Sequence, residues 1–127
     1  MRQQLTWIFL HCFAEKINEN IYVENKEECF NFLLKIYGNM NCDMCSTHSI
    51  IYLNNNKQNI ETKDKLINYL FEFHNIVNLK LRKKVFEKEI LQKYKCANIE
   101  NIFMNYTSRM THNEYITEFL EKNKSWF

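Results

Sequence analysis

The stretch TKDKLINYLFEFHNIVNLKLRK, residues 62–83, decides the fold class of this chain. Apolar side chains recur in it at three- and four-residue spacing, which is typical of one face of a helix. Thr62 precedes this stripe and is a suitable N-cap, because its hydroxyl can accept a hydrogen bond from a free backbone N–H. We therefore predict a long amphipathic helix with the stripe Leu66, Leu70, Phe73, Val77 and Leu81.

The composition of the whole chain favours the same fold class, because its 127 residues contain no Pro and only one Gly. Few positions can therefore form tight turns or interrupt a helix. We predict further helices over residues 3–18, 25–38, 42–53, 86–94 and 113–121, with the polar residues 18–28 breaking the first pattern and Gly38 ending the second helix. The predicted fold is all-α, an antiparallel four-helix bundle with additional short C-terminal helices.

Charge and hydropathy exclude two classes of partner. The net charge of +2 is too small to favour nucleic acid, and we interpret the basic run LKLRKK, residues 79–84, as a solvated helix end. No stretch is long and apolar enough to predict a membrane span. The first residues lack a small-residue cleavage site, so we expect a mature helix and no export address.

Two of the five cysteines have a spacing that suggests chemistry, Cys42 and Cys45. A polar loop precedes them and a predicted helix follows, so Cys45 would lie in the first turn, where the helix dipole stabilises a thiolate. His48 follows one turn later on the same face. The alternatives are a pair without a role and a zinc site of Cys42, Cys45 and His48, with His74 or Cys96 as the missing fourth ligand.

Polar and aromatic side chains next to apolar stripes form a second candidate site. His74 and Asn78 are four residues apart on the long helix, with Asn75 beside them, and Trp7 and His11 have the same spacing in the first helix. Burying such polar groups without partners costs about 1–3 kcal/mol each. Each residue taken alone is typical of core packing, but together they indicate a wall that binds a planar ligand.

These three elements, in this order, resemble the pattern of the Erv/ALR FAD-linked sulfhydryl oxidases. The matching segments are WIFLH (residues 7–11), CDMC (residues 42–45) and HNIVNLKLRK (residues 74–83). The resemblance implies FAD held at the mouth of the bundle and a redox-active Cys42–Cys45 disulfide. It implies that substrate thiols attack Cys42, that Cys45 passes electrons to the flavin, and that O2 becomes H2O2. The cofactor contacts implied are Trp7, His11, His48, Tyr69, His74, Asn75, Asn78 and Lys83.

The chain also departs from the family pattern. Tyr69 stands where the family usually has Trp, and Asn41 stands where Pro usually precedes the first active cysteine. The second structural disulfide is missing, since Phe71 and Glu87 occupy nearby positions, and no additional CxxC arm is present. Such short forms resemble those of large cytoplasmic DNA viruses.

The resemblance covers about Thr6 to Phe86, and we predict an oxidase domain over residues 1–95. Residues 96–127 contain no motif of the family, and we predict that they form a helical extension packed on the same domain. The expected partners are a dithiol protein or a small thiol-shuttle protein, molecular oxygen and a second copy in a homodimer, without nucleic acid, metal or membrane span. A viral chain would act in the host cytoplasm or virion; a cellular one would act in the mitochondrial intermembrane space or another oxidising compartment. The alternative function is a zinc-stabilised interaction module without catalysis.

Overall fold

The four predicted main helices pack together around the side chain of Phe73. In the computed structural model, which describes residues 2–39, 43–109 and 114–127, these helices are α1 (Arg2–Lys16), α3 (Lys26–Gly38), α4 (Asp43–Asn55) and α5 (Lys63–Lys80). The Phe73 ring on α5 lies 5.7 Å from Trp7 on α1, 6.0 Å from Tyr37 on α3 and 4.5 Å from Tyr52 on α4. The all-α prediction is confirmed, and the described residues contain no strand.

The long helix α5 begins as its sequence predicts. The Thr62 hydroxyl accepts a hydrogen bond from the Lys65 backbone N–H at 3.2 Å, so Thr62 is the N-cap. Leu66, Leu70 and Phe73 are buried, whereas Leu81 is exposed. The apolar stripe therefore faces the core only as far as the last turn, and α5 ends at Lys80.

Helix α1 is more deeply buried than one amphipathic face would require. Its predicted face of Trp7, Leu10, His11 and Ala14 is buried, and so are Phe9, Cys12 and Phe13. The additional cover comes from the C-terminal part of the chain, because α7 (Ile99–Arg109) packs along α1. Tyr106 of α7 stacks on Phe9 with ring centroids 4.1 Å apart.

Two connections differ from the predictions. Residues 18–28 were predicted to be polar loop, but they contain α2 (Glu19–Glu24). The Asn18 side chain caps this helix. Tyr22 is buried in the core, and its hydroxyl donates to the Ile60 carbonyl. Gly38 is the last residue of α3 and has no positive φ, so it does not end the helix by the left-handed turn that favours glycine.

The predicted helix over residues 86–94 is shorter than expected. The segment 83–87 is extended loop, and α6 comprises Ile90–Lys95. The predicted last helix is confirmed as α8 (Glu114–Lys122), while Asn113 lies outside the described residues. Short 3-10 turns at Lys57–Ile60 and Lys124–Trp126 complete the elements, and the Phe127 ring contacts Phe13 at 5.3 Å. The C-terminal aromatics thus cover the bundle.

Candidate functional site

The predicted aromatic and polar residues of α1 and α5 form one buried cluster. The indole of Trp7 stacks on the imidazole of His74, with ring centroids 4.2 Å apart and planes 6° from parallel. His11, one turn after Trp7, places its Nε2 3.0 Å from Nδ1 of His74. The four-residue spacing in α1 therefore presents both side chains to the same residue of α5, as the sequence pattern predicts.

Both histidines of this cluster are neutral at physiological pH. Burial lowers the pKa of His11 to about 3, with the neighbouring His74 lowering it further. Burial also lowers the pKa of His74 to about 4, and the charge of Lys83 acts in the same direction. In the hydrogen bond between the two rings, one nitrogen donates and the other accepts. The one polar atom that His74 keeps for another ligand is its Nε2.

The structure adds two aromatic residues that the sequence analysis missed. Tyr94 of α6 stacks on His11, with centroids 4.5 Å apart and planes 12° from parallel. Phe86, in the loop before α6, contacts His74 at 5.3 Å. The sequence analysis treated both positions as part of one short helix and found no motif that includes them. Their proximity depends on the path of the chain after α5.

That path is set by the turn that ends α5. The Lys83 N–H donates to the Asn78 carbonyl at 2.8 Å and the Arg82 N–H donates to the Leu79 carbonyl at 3.1 Å. These two bonds form a Schellman motif, which requires a left-handed residue at its penultimate position. Arg82 supplies it with φ 57°, although glycine is the residue that adopts this conformation without strain.

Asn75 fixes the loop that follows this turn. Its side-chain amide donates to the Phe86 carbonyl at 3.0 Å, and its side-chain oxygen accepts from the Phe86 N–H at 2.9 Å. The sequence analysis predicted a cofactor contact for Asn75. In the structure both polar groups of this side chain bind loop backbone, so the contribution of Asn75 to the site is to hold Phe86 against His74.

A cavity of about 260 Å³ opens beside the cluster, between α1, the end of α5, the loop and α6. Asn78 contributes the side-chain Nδ2, which is buried and has no hydrogen-bond partner among the described residues. An unpaired buried donor indicates a missing acceptor, because leaving it unsatisfied costs about 1–3 kcal/mol. The walls of the cavity also include Trp7, Ile8, His74, Lys83, Phe86 and Tyr94.

The donor set of the cavity fits a planar ligand that carries hydrogen-bond acceptors and negative charge. Asn78 supplies an unpaired amide donor and Lys83 an exposed ammonium group, while the aromatic walls supply apolar contact. The described lining contains no carboxylate that would repel an anion. A flavin nucleotide has these properties, with carbonyl and ring-nitrogen acceptors and phosphate groups.

Four of the eight predicted contacts line this cavity; His11 and Asn75 contact its lining residues His74 and Phe86, and the other two lie apart from it. His48 of α4 lines a separate hollow of about 190 Å³ on the other side of α5, together with Phe73 and Lys80. Tyr69 is buried in an aromatic column, with centroids 5.7 Å from Tyr52 and 6.1 Å from Phe73. Neither residue lines the larger cavity, so the sequence pattern does not place all eight predicted contacts around one space.

The structure describes only part of the cysteine pair. Cys45 is the third residue of α4, so its predicted place in the first helical turn is confirmed; its side chain, like all of Cys42, lies outside the part that is described. Cys12 and Cys29 are buried free thiols, and burial raises their pKa to about 11 and about 12. They therefore stay protonated and are poor nucleophiles. Cys96 is free and exposed.

Two further properties concern metals and membranes. Within residues 2–39, 43–109 and 114–127, as far as side chains are described, no group of three His, Cys, Asp or Glu side chains could hold a metal ion. The zinc alternative depends on Cys42 and the Cys45 side chain and stays a hypothesis. None of the described helices has the length and apolar character needed to cross a bilayer.

The comparisons with known proteins identify the family. Over 79 residues the chain is 29% identical to each of two proteins named FAD-linked sulfhydryl oxidase, from a tick isolate and a pig isolate of African swine fever virus. A third so-named protein, from a warthog isolate, is 28% identical over the same length. The aligned region covers 62% of this chain and 66% of each relative, slightly under two thirds of their length. The model of the Erv1 / Alr family matches residues 4–97, from the start of α1 to just beyond α6, and the chain therefore belongs to the Erv1 / Alr family.

Proposed function

We propose that this protein is an FAD-dependent sulfhydryl oxidase that forms disulfide bonds in a dithiol protein and transfers the electrons to molecular oxygen. The observation that carries the proposal is the cavity beside Trp7 and His74, with its unpaired Asn78 donor, in a chain that belongs to the Erv1 / Alr family. The relatives named FAD-linked sulfhydryl oxidase support the same cofactor and reaction.

Five of the predicted contacts would hold the cofactor at this cavity. Trp7 and His74 provide aromatic surface, His11 fixes His74 through the 3.0 Å hydrogen bond, Asn78 donates a hydrogen bond and Lys83 supplies positive charge. The cavity of about 260 Å³ is smaller than the 300–1,000 Å³ typical of sites that enclose a drug-sized ligand, so it would enclose one part of FAD. His48 and Tyr69 do not line this cavity.

The cysteine pair would perform the thiol chemistry. A substrate thiolate attacks the Cys42 sulfur of the Cys42–Cys45 disulfide, a mixed disulfide forms, and Cys45 leaves as a thiolate. The second substrate thiolate attacks the substrate sulfur of this mixed disulfide and releases Cys42. The substrate has then lost two electrons and two protons, and the Cys42–Cys45 pair has gained them. Bound FAD supplies the two-electron chemistry that reoxidises the pair and reduces O2 to H2O2.

The position of Cys45 supports its role as leaving group. As the third residue of α4 it lies in the first turn, where the helix dipole lowers a thiol pKa, and a thiol of low pKa leaves faster. The buried Cys12 and Cys29 thiols, whose pKa is raised, are unsuited to exchange. Cys96 is exposed but has no second cysteine near it in the sequence, so we assign the thiol chemistry to Cys42 and Cys45.

The setting follows from the relatives. We infer a viral protein that acts in the host cytoplasm or the virion, because the matched relatives come from African swine fever virus. Its partners would be a dithiol protein or a thiol-shuttle protein, and a second copy in a homodimer.

The test compares two cysteine variants with the wild-type protein. We expect Cys45→Ser to retain bound FAD and to lose oxidation of dithiothreitol, because the redox disulfide cannot form. Cys96→Ser is the matched control and should oxidise dithiothreitol at the wild-type rate, since Cys96 is free and belongs to α6's exposed end. Wild-type activity in Cys45→Ser would overturn the assignment. A colourless protein with bound zinc would favour the interaction module instead.

A further inference from the structure

The C-terminal end of α5 and the loop that follows it concentrate positive charge. Residues 79–88, which we call the basic strap, carry five cations and one carboxylate, and every one of these ten residues is exposed. Their net charge is therefore +4, in a chain of net charge +2, so the remaining residues together carry −2. The two ion pairs found among the described residues, Lys57–Glu27 and Lys124–Glu121, involve none of the strap cations.

The basic strap also exposes apolar side chains. Leu79 is 67% exposed, Leu81 43%, Phe86 39% and Val85 37%, and these are four of the eight large exposed hydrophobic residues in the described chain. Leu81 and Phe86 partly line the cavity, so bound FAD would cover some of their surface, whereas Leu79 and Val85 lie outside it. Clustered exposed apolar groups among charges are typical of an interaction surface.

Hydrogen bonds anchor the strap at two places. The Schellman bonds from Lys83 and Arg82 fix its beginning, and the two Asn75 bonds to Phe86 fix its end. The sequence analysis predicted a solvated helix end here. That prediction is confirmed, because residues 79–84 are exposed at the C-terminal end of α5; the residues after Lys80 form a loop beside the cavity. An ordered surface loses less entropy when a partner binds.

The strap adjoins the helix that carries the redox cysteine. Lys80 and His48 line the same hollow between α5 and α4, and His48 follows Cys45 by three residues, about one helical turn. A macromolecule whose thiols reach the start of α4 therefore lies near the strap.

We propose that the basic strap is the docking surface for the dithiol protein, which it recognises through an acidic segment with apolar side chains. This inference rests on the proposed oxidase function. The phosphates of bound FAD would neutralise about two positive charges near Lys83, and the strap would keep a net positive charge. Nucleic acid is a poorer match, because ten residues give a short footprint. A membrane surface is a poorer match too, since the strap is a loop and not an amphipathic helix.

The test uses two synthetic peptides with the same central Cys-Gly-Gly-Cys, one flanked by Glu and Leu and the other by Lys and Leu. With the FAD-loaded enzyme at low salt, we expect kcat/KM for the acidic peptide to exceed that for the basic one at least about fivefold, and the ratio to fall towards one in 1 M NaCl, where the Debye length is about 3 Å. Dithiothreitol, which carries no charge, reports the basal reaction.

Charge reversal locates the effect. Lys80→Glu/Lys88→Glu changes two strap cations that do not line the cavity and should abolish the peptide preference while dithiothreitol oxidation stays at the wild-type rate. If the double variant folds poorly, Lys88→Glu is measured alone, and it should at least halve the ratio of the two kcat/KM values. The control Lys65→Glu/Lys122→Glu reverses two exposed cations outside the strap and should keep the preference.

Three outcomes would overturn the docking proposal. Equal kcat/KM for both peptides is one, and an unchanged ratio in the strap variants is another. The third is strap-dependent binding of duplex DNA or of phosphatidylserine vesicles without any peptide preference. Failure of the oxidase proposal is distinct, because dithiothreitol would then remain unoxidised as well.

Discussion

Replacing Asn75 by Ala removes the side-chain hydrogen bonds that join α5 to the loop carrying Phe86. Two hydrogen bonds disappear, from Asn75 Nδ2 to the Phe86 carbonyl at 3.0 Å and from the Phe86 N–H to Asn75 Oδ1 at 2.9 Å. At about 0.5–1.5 kcal/mol for each bond, the expected loss in the free energy of unfolding is about 1–3 kcal/mol. Because Phe86 contacts His74, FAD retention should fall as well.

A matched variant separates this loss from helix propensity. Asn68 lies in the same helix and is exposed, and its side chain makes no hydrogen bond to another described residue. Asn→Ala raises helix propensity equally at both positions, by a few tenths of a kcal/mol. The quantity of interest is therefore the stability difference between Asn75→Ala and Asn68→Ala, measured by urea unfolding without added FAD.

Hydrogen exchange gives a local readout of the same bond. The Phe86 amide should be protected in the wild-type protein and in Asn68→Ala, and should exchange faster in Asn75→Ala. If the two variants have equal stability and the Phe86 amide exchanges at one rate in all three proteins, Asn75 does not hold the loop and the reasoning fails.

Two more predictions follow from the same cluster and turn. In the folded protein the pKa values of His11 and His74 are about 3 and about 4, below the ordinary 6.5. The unfolded chain therefore binds more protons, and the free energy of unfolding should fall as the pH drops from about 6.5 towards 4. The slope is at most about 1.4 kcal/mol per pH unit for each histidine. Urea unfolding at a series of pH values measures this slope; His74→Phe should reduce it, and an unchanged slope in that variant would contradict the neutral pair. Arg82→Gly removes the strain of a left-handed side chain, about 1–2 kcal/mol, but adds unfolded-state entropy, so the thermal midpoint should rise slightly. A clear fall in that midpoint would mean that the turn does not have the geometry seen here.

The residues that sequence predicted well are those set by local periodicity. Thr62 caps α5 and Trp7 and His11 lie on one face of α1, because cap chemistry and helical spacing are local properties of the sequence. The contact of both residues with His74 joins two helices, so helical spacing alone does not determine it. The pattern Ile99, Ile102, Phe103, Tyr106 in α7 has the same spacing, but it was not recognised, and the burial of α1 was underestimated for that reason.

The remaining features depend on where the chain goes after a helix ends. Tyr94 and Phe86 reach the histidine pair only because the Schellman turn at Arg82 and the Asn75 bonds direct the loop back over α5. An arginine at position 82 does not predict a left-handed turn, because glycine is the residue that usually indicates one. Tyr22 is similar: its ring is buried in the core and its hydroxyl donates to the distant Ile60 carbonyl, which no neighbouring residue in the sequence predicts.

The separation of His48 and Tyr69 from the larger cavity also has a physical reason. Positions 73, 76 and 80 of α5 face one hollow, whereas positions 74, 77, 78 and 81 face the other, so the helix itself divides the two spaces. A sequence motif shows which residues share a helix, and the structure shows which cavity each of their side chains lines.

The central claim is that this chain binds FAD at the Trp7–His74 cavity, and the visible absorption spectrum tests it most directly. The purified protein should be yellow, and denaturation should change its flavin spectrum to that of free FAD; Lys83→Ala and Asn78→Ala should each retain less flavin while keeping the wild-type helical circular dichroism. A folded, colourless protein that cannot be reconstituted with FAD would contradict the account.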